Sequence, residues 1–177
     1  MRYSTDYAES RAVMEKWEYL VSQEYKLRHH ICEYFLGGDL DAIIDVGAYK
    51  NTIKTDNKLI AIDPLKSIPE AFHGSVQDWF NSDVGDLKLT NCGIMAMGLE
   101  IEGGESEWAC FKAMVDSAKV VIIEHSIDHE PSVLQADAIL ETTDKRVTVA
   151  IHFAFCDLDL PGFVPHTKRR LIVLERK

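Results

Sequence analysis

Ala42-Ile43-Ile44-Asp45-Val46-Gly47-Ala48-Tyr49-Lys50 is answered further along the chain by Leu59-Ile60-Ala61-Ile62-Asp63-Pro64. Two short apolar runs rich in isoleucine each end in an aspartate, and glycine follows the first aspartate by two residues. Continuous apolar runs suit strands buried on both faces of a parallel sheet. Such a sheet holds a nucleotide-bearing cofactor at its carboxyl edge. A small residue lets the ligand approach the backbone there, and an acid closing the next strand takes the ribose hydroxyls. Eighteen positions separate Asp45 from Asp63, close to the ~20 between turn and acid in that arrangement. Two buried strands ending in turn aspartates give the same pattern without a ligand.

Outward from this pair, apolar residues recur at three- and four-residue steps from about Tyr7 to Phe35 (Val13, Trp17, Leu20, Val21, Ile31 and Phe35 among them), which predicts N-terminal helices over 1–37. Gly37-Gly38-Asp39 then predicts a left-handed helix cap. Strands are expected at Asp41–Val46 and Lys58–Ile62, with Tyr49–Asp56 too short between them for a long crossover helix. A brief third strand and a polar turn flanked by aromatics are expected over Phe72–Phe80, and a fourth strand over Asp86–Gly93 that alternates and then turns at the small pair Cys92-Gly93. Glu105–Ala118 carries Trp108, Phe111, Met114 and Val115 on one helical face, and Lys119–Glu124 is the strongest buried-strand signal in the chain. A polar loop from Glu124 to Glu130 precedes a helix opened by Pro131. Val147–Cys156 and Arg170–Glu175 close the chain as two strands joined by a proline-containing loop. The expectation is one α/β domain over 1–177, with N-terminal helices on a sheet core over 38–177.

Charge and composition narrow the class. With 29 acids against 19 bases the net charge is -10, a surface that repels phosphate backbones and argues against a duplex nucleic-acid partner. Lys168-Arg169-Arg170 is the single tight basic cluster. No apolar run approaches the ~18 residues of a membrane helix, and the amino terminus lacks a signal-peptide core, so no membrane partner and a cytoplasmic location are expected. The four cysteines are far apart and read as reduced thiols.

The order of elements, with strands and helices alternating up to Cys156 and two strands closing the chain, resembles the S-adenosylmethionine-dependent methyltransferase superfamily. The resemblance covers roughly 38–177. It implies a Rossmann-like, mostly parallel sheet of about seven strands whose last strand is antiparallel. It also implies S-adenosyl-L-methionine as cofactor. Asp45 and Gly47 match the acid and glycine that meet its methionine end, with Ala48 and Tyr49 in the turn. Asp63, next to Pro64, matches the acid on the ribose hydroxyls. Ser75, Val76, Gln77 and Asp78 match the turn that frames the adenine, with Gln77 or Asp78 suited to its exocyclic amine. Asn91 and Cys92 match residues beside the transferring methyl group. The sequence departs from the family where Tyr49 and Asn51 stand in place of frequent glycines.

Methyl transfer from a sulfonium is an in-line displacement that needs alignment, and an oxygen or nitrogen acceptor also needs its proton removed. Glu124 and His125, after the fifth strand, are the candidate bases, and the histidine titrates nearest working pH. A loop histidine bonded to a backbone carbonyl is the structural alternative for His125. His125 and His129 are spaced for a shared metal ion only on a helix, and Pro131 favours a loop there, so no metal is expected. The expectation is a methyltransferase acting on a small molecule at oxygen or nitrogen, with a homodimer possible. The alternatives are a non-catalytic binding or partner protein of this fold, favoured by the altered first turn, or an NAD-linked oxidoreductase. The last is opposed by the missing glycine spacing in Gly47–Thr52.

Overall fold

The computed structural model describes residues 23–48, 53, 55–63, 71–82, 87–154 and 168–177. The helical reading before residue 23, the turn residue Tyr49, Pro64 and the loop between the last two strands lie outside them.

Among the described residues six strands form one sheet, where about seven were expected. They are β1 (Ala42–Val46), β2 (Leu59–Ile62), β3 (Cys92–Met97), β4 (Val120–Ser126), β5 (Arg146–Ala154) and β6 (Lys168–Glu175), in the order β2-β1-β3-β4-β6-β5. The first four run parallel, and β6 lies antiparallel between β4 and β5. This is the expected Rossmann-like sheet with an antiparallel final strand. Every residue of β1 and β4 is buried, because both faces of the sheet are covered. Ala42, Ile44, Val46, Ile94, Val121 and Ile123 pack under α2 (Val76–Phe80), α3 (Gly104–Ser117) and α4 (Glu130–Thr142). Ile43, Met95, Ile122, Leu171 and Val173 pack on the other face with Cys32 and Leu36 of α1 (Gln23–Leu36). The alternation of a strand's side chains therefore assigns each strand residue to an α1 face or an α3 face.

Two expected strands differ. In place of a third strand, Phe72 makes a single parallel bridge to Ile62, and α2 begins at once. Ser75 and Asp78 close a reciprocal capping box, with Asp78 N donating to Ser75 Oγ and Ser75 N donating to Asp78. Local side-chain bonds to free helix amides outweigh the strand tendency of the flanking aromatics. The fourth expected strand is displaced towards the C-terminus. Leu89–Asn91 form a 3-10 turn and the strand is Cys92–Met97. Gly93, read as a turn glycine, lies inside β3 because a Cβ there would meet Leu36 at 2.5 Å and Leu40 at 3.1 Å. It is a packing glycine that lets α1 close on the sheet. The remaining elements fall within a few residues of expectation, and β4 runs two residues further, through His125 and Ser126. No helix among the described residues is long and apolar enough to cross a membrane.

Candidate functional site at the carboxyl edge of the sheet

The parallel strands deliver Asp45, Gly47 and Asp63 to one edge, as the spacing predicted. Asp45 and Asp63 are both buried. Gly47 turns the chain in the left-handed region, with φ +71, and its amide donates to Ile62 O at 2.8 Å. A side chain at that φ is strained, and the space where one would stand is open. Glycine thus suits this turn, and no side chain stands there. Ala48 follows, buried, with its amide 3.4 Å from the same carbonyl.

Asp45 shares the α1 face with Ile43, whereas Val46 and Ile62 face α3 and line a cavity of about 50 Å³. Gly47, Gly74, Ser75, Val76, Glu100, Ile101, Glu102 and Glu107 complete its wall. Glu107 is 3% exposed although it is an acid on the apolar stripe of α3, one turn before Phe111. Its Oε1 accepts the Val76 amide at 3.1 Å. Its Oε2 is buried with no hydrogen-bond partner among the described residues. Burial pushes the Glu107 carboxyl above the usual carboxylate range, and nearby Asp78 and Glu102 add to the rise against the lowering by the Val76 amide. Burial likewise raises Glu100, with Glu102 adding to it, although His129 Nε2 stands 3.6 Å away and opposes the rise. The segment bearing Glu100 is fastened on both sides. Gly98 and Leu99 amides donate to Glu124 O, and Gln135 of α4 makes a two-way bond with the Ile101 backbone at 3.0 and 2.9 Å.

Glu124 and His125 sit within the last residues of β4 and not after it, so they project to opposite faces. Glu124, on the α1 face, accepts a hydrogen bond from Arg28 Nη1, and Arg169 Nε of β6 lies 3.6 Å from its other oxygen. Beside this cluster, burial pushes the Cys32 thiol up to about 12, which removes it as a nucleophile. His125, on the α3 face, is paired across β6 with Arg170, which reaches Asp137 of α4 at 3.6 Å. Its Nδ1 donates to Ser126 O at 2.9 Å in the tautomer that leaves Nε2 as an acceptor, and Nε2 is buried without a partner among the described residues. Burial lowers the His125 pKa, so the ring is neutral at pH 7. The backbone-bonded histidine foreseen as the structural alternative is what the geometry shows, with one ring nitrogen left over.

Other expected site residues are placed elsewhere. Cys92 begins β3 in register with Ala42, and Asn91 ends the 3-10 turn just before it, at the opposite, amino edge of the sheet. Asn91 there bonds Asp41 at 3.0 Å and Lys119 at 3.3 Å. The displaced strand moves both away from any cofactor at the carboxyl edge, and Met97 to Glu100 occupy the corresponding position. Asp78 is committed to the cap of α2, and Gln77 Oε1 accepts from Ser106 Oγ at 2.8 Å. Ser75 and Val76 do line the cavity. His129 caps α4, with its Nδ1 2.7 Å from Ser132 Oγ, and no cluster of three metal-ligating side chains occurs among the described residues. Glu107, Glu100 and Arg28 are absent from the sequence reading. Only the anomaly of an acid in an apolar helical stripe could have signalled Glu107.

No protein-family model and no curated protein matches the chain. Solved structures do. The precorrin-6y C5,15-methyltransferase of Geobacter metallireducens GS-15 superposes with a TM-score of 0.55 at 14% identity, over 90% of this chain and 91% of that one. A "putative RNA methyltransferase" of Pyrococcus horikoshii gives 0.56 at 14% identity, over 84% and 81%. A TehB-like SAM-dependent methyltransferase of Corynebacterium glutamicum ATCC 13032 Kitasato gives 0.52 at 14% identity, over 96% and 99%. At this identity the likeness is one of fold, and the fold is that of the S-adenosylmethionine-dependent methyltransferases.

Proposed function

We propose that this chain is an S-adenosylmethionine-dependent methyltransferase acting on a small molecule at oxygen or nitrogen. The observation that carries the reading is the constellation at the carboxyl edge. Buried Asp45 and Asp63 lie at the ends of adjacent parallel strands beside the Gly47 turn, which lines a cavity holding the Glu107 oxygen that has no partner among the described residues. A glycine turn at φ +71 beside a buried carboxylate oxygen without a hydrogen-bond partner among the described residues, Glu107 Oε2, suits a ligand that brings an N–H or O–H donor. The residues present fit the cofactor in this respect. The cavity of about 50 Å³ takes only one edge of a ligand of that size, since sites for such molecules span roughly 300–1,000 Å³. The remainder lies over Gly47 and the strand ends.

S-adenosylmethionine, when bound, supplies a sulfonium methyl group open to attack. Asp63 holds the ribose hydroxyls, and Asp45, on the α1 side of β1, faces the amino-acid end. His125 is the base, taking the acceptor's proton at Nε2, the nitrogen left free by the bond from Nδ1 to Ser126 O. Glu124 is a positioning residue, because its carboxylate is engaged by Arg28 and Arg169. The net charge of -10 favours a neutral or cationic acceptor over a nucleic acid. Incubation with S-adenosylmethionine labelled in its methyl group, against a panel of small phenols, amines and imidazoles, tests the reading. Label transferred to an acceptor by the wild type, and reduced more than tenfold in His125→Ala at unchanged cofactor affinity, is the expected result. Cofactor binding with no transfer to any acceptor would favour the non-catalytic reading, which the altered first turn supports.

A further inference from the structure

The single tight basic cluster in the sequence, Lys168-Arg169-Arg170, opens β6 at the carboxyl edge of the parallel strands. Strand alternation splits it. Arg169 turns to the α1 face and Glu124, whereas Arg170 shares the α4 face with His125. The antiparallel registers set Arg170 directly between His125 of β4 and His152 of β5, so three nitrogen-bearing side chains form one row near the strand ends. That row is open on its β5 side. Ala150 and His152, which β5 turns to this face, are exposed, while Ile151 and Phe153 on the other face pack in the cluster with Cys32 and Leu36. Asp137 of α4 stands 3.6 Å from Arg170 Nη1, too far for a hydrogen bond, and the arginine and aspartate side chains are 27% and 49% exposed. A loose pair of that kind contributes little and leaves the guanidinium fork open to a carboxylate that meets it in two parallel bonds.

We propose that Arg170, flanked by His152, binds a carboxylate of the methyl acceptor, and that the substrates of this chain are small carboxylic acids whose nucleophilic nitrogen or oxygen reaches Nε2 of His125. The inference rests on the methyl-donor reading above. His125 Nε2 is buried without a partner among the described residues, and neighbouring strands lie about 5 Å apart, so roughly that spacing separates the acceptor's acid group from its nucleophile. Burial lowers the His125 pKa most, and Arg170 lowers it further while Asp137 opposes, which puts both charges within electrostatic reach of the ring. One guanidinium fork matches one carboxylate, and the net charge of -10 opposes a phosphate dianion or a polyanion. An acid that also carries an amine or imidazole is neutral overall and meets both conditions.

Calorimetric titration of the full chain saturated with S-adenosylhomocysteine tests this with two matched pairs, imidazolylacetate against imidazolylacetamide and meta-aminomethylbenzoate against its amide. The overall charge by itself favours the amides, which are the more positive members, so a preference for the acids reports the local site. The wild type should bind the acid of at least one pair about tenfold more tightly than its amide, the value of a charge-assisted hydrogen bond. Arg170→Gln should abolish that preference at unchanged S-adenosylhomocysteine affinity. Arg170→Lys, which keeps the charge and loses the fork, should retain only part of it, and Asp137→Asn should leave it in place. No preference for the acid in either pair, through equal binding or through none, overturns the assignment without recourse to any variant. So does a folded Arg170→Gln protein that keeps the wild-type preference. Failure of the wild type to bind S-adenosylhomocysteine refutes the methyl-donor reading itself and the acceptor class with it. Tight S-adenosylhomocysteine binding without discrimination between acid and amide refutes only the role of Arg170.

Discussion

Arg28→Met tests how the N-terminal helix is held over the site. Arg28 of α1 donates to Glu124 of β4, and the two side chains are 12% and 2% exposed. Removing one partner of a buried pair costs about 3–5 kcal/mol, because the other charge is left desolvated. Arg169 stays 3.6 Å from the second Glu124 oxygen, so the cost should fall at the low end, about 3 kcal/mol. For a chain of this size that corresponds to a fall in Tm of about 6–12 °C. The stranded charge, and not the lost contact, is the source of the penalty. Adding Glu124→Gln to Arg28→Met should therefore restore stability, leaving the double variant within about 2 kcal/mol of wild type. Urea unfolding at pH 7 of the wild type, both single variants and the double variant closes the cycle. A cost below about 1 kcal/mol for Arg28→Met, or a double variant as unstable as the sum of the singles, would show that Glu124 is not held as a buried anion by α1.

Gly93→Ala should destabilise by about 1–3 kcal/mol through overpacking, since its Cβ would stand 2.5 Å from Leu36. Thermal melts should show the cost shrinking in a Leu36→Ala background. His125 gives a signed pH dependence. Its native pKa lies below the ordinary value of 6.5, so above that pH neither state takes a proton and no effect appears. As pH falls through 6.5 the unfolded chain binds the proton first, and stability declines until the native pKa is reached. His125→Gln should flatten the loss between pH 7 and 5, and the part that persists belongs in the same direction to His29, whose pKa burial also lowers. An unchanged pH slope in that variant would mean that His125 titrates normally in the folded protein. Gly47→Val should weaken S-adenosylhomocysteine binding by at least about tenfold through strain at φ +71 and obstruction of the bare turn, and wild-type affinity would exclude a ligand there.

The sheet was legible where burial on both faces leaves a plain signature. The isoleucine and valine runs of β1 and β4, and the apolar stripe of α3, appear in the structure within a few residues of their predicted bounds, as does β2, although it is an edge strand and only partly buried. Elements whose identity depends on distant partners were not. Gly93 looked like a turn residue because a glycine required by Leu36 and Leu40 and a glycine required by a turn are the same letter. That single misreading shifted β3 and carried Asn91 and Cys92 to the wrong edge. Ser75 and Asp78 carry a local capping signature, but the polar stretch between the aromatics Phe72, Trp79 and Phe80 also reads as a short strand and a turn. At the site, Asp45, Gly47 and Asp63 were readable because strand ends place them together. The bond from Glu107 to Val76 spans 31 positions and that from Arg28 to Glu124 spans 96, and no local pattern encodes either.

The ribose contact is the most direct point at which to strike the central claim. Calorimetry of S-adenosylhomocysteine with wild-type protein and with Asp63→Ala asks whether the acid that closes β2 grips a cofactor. Micromolar binding by the wild type, weakened by at least about tenfold in the variant, is the predicted result. No binding by the wild type, or equal binding by both proteins, would contradict it.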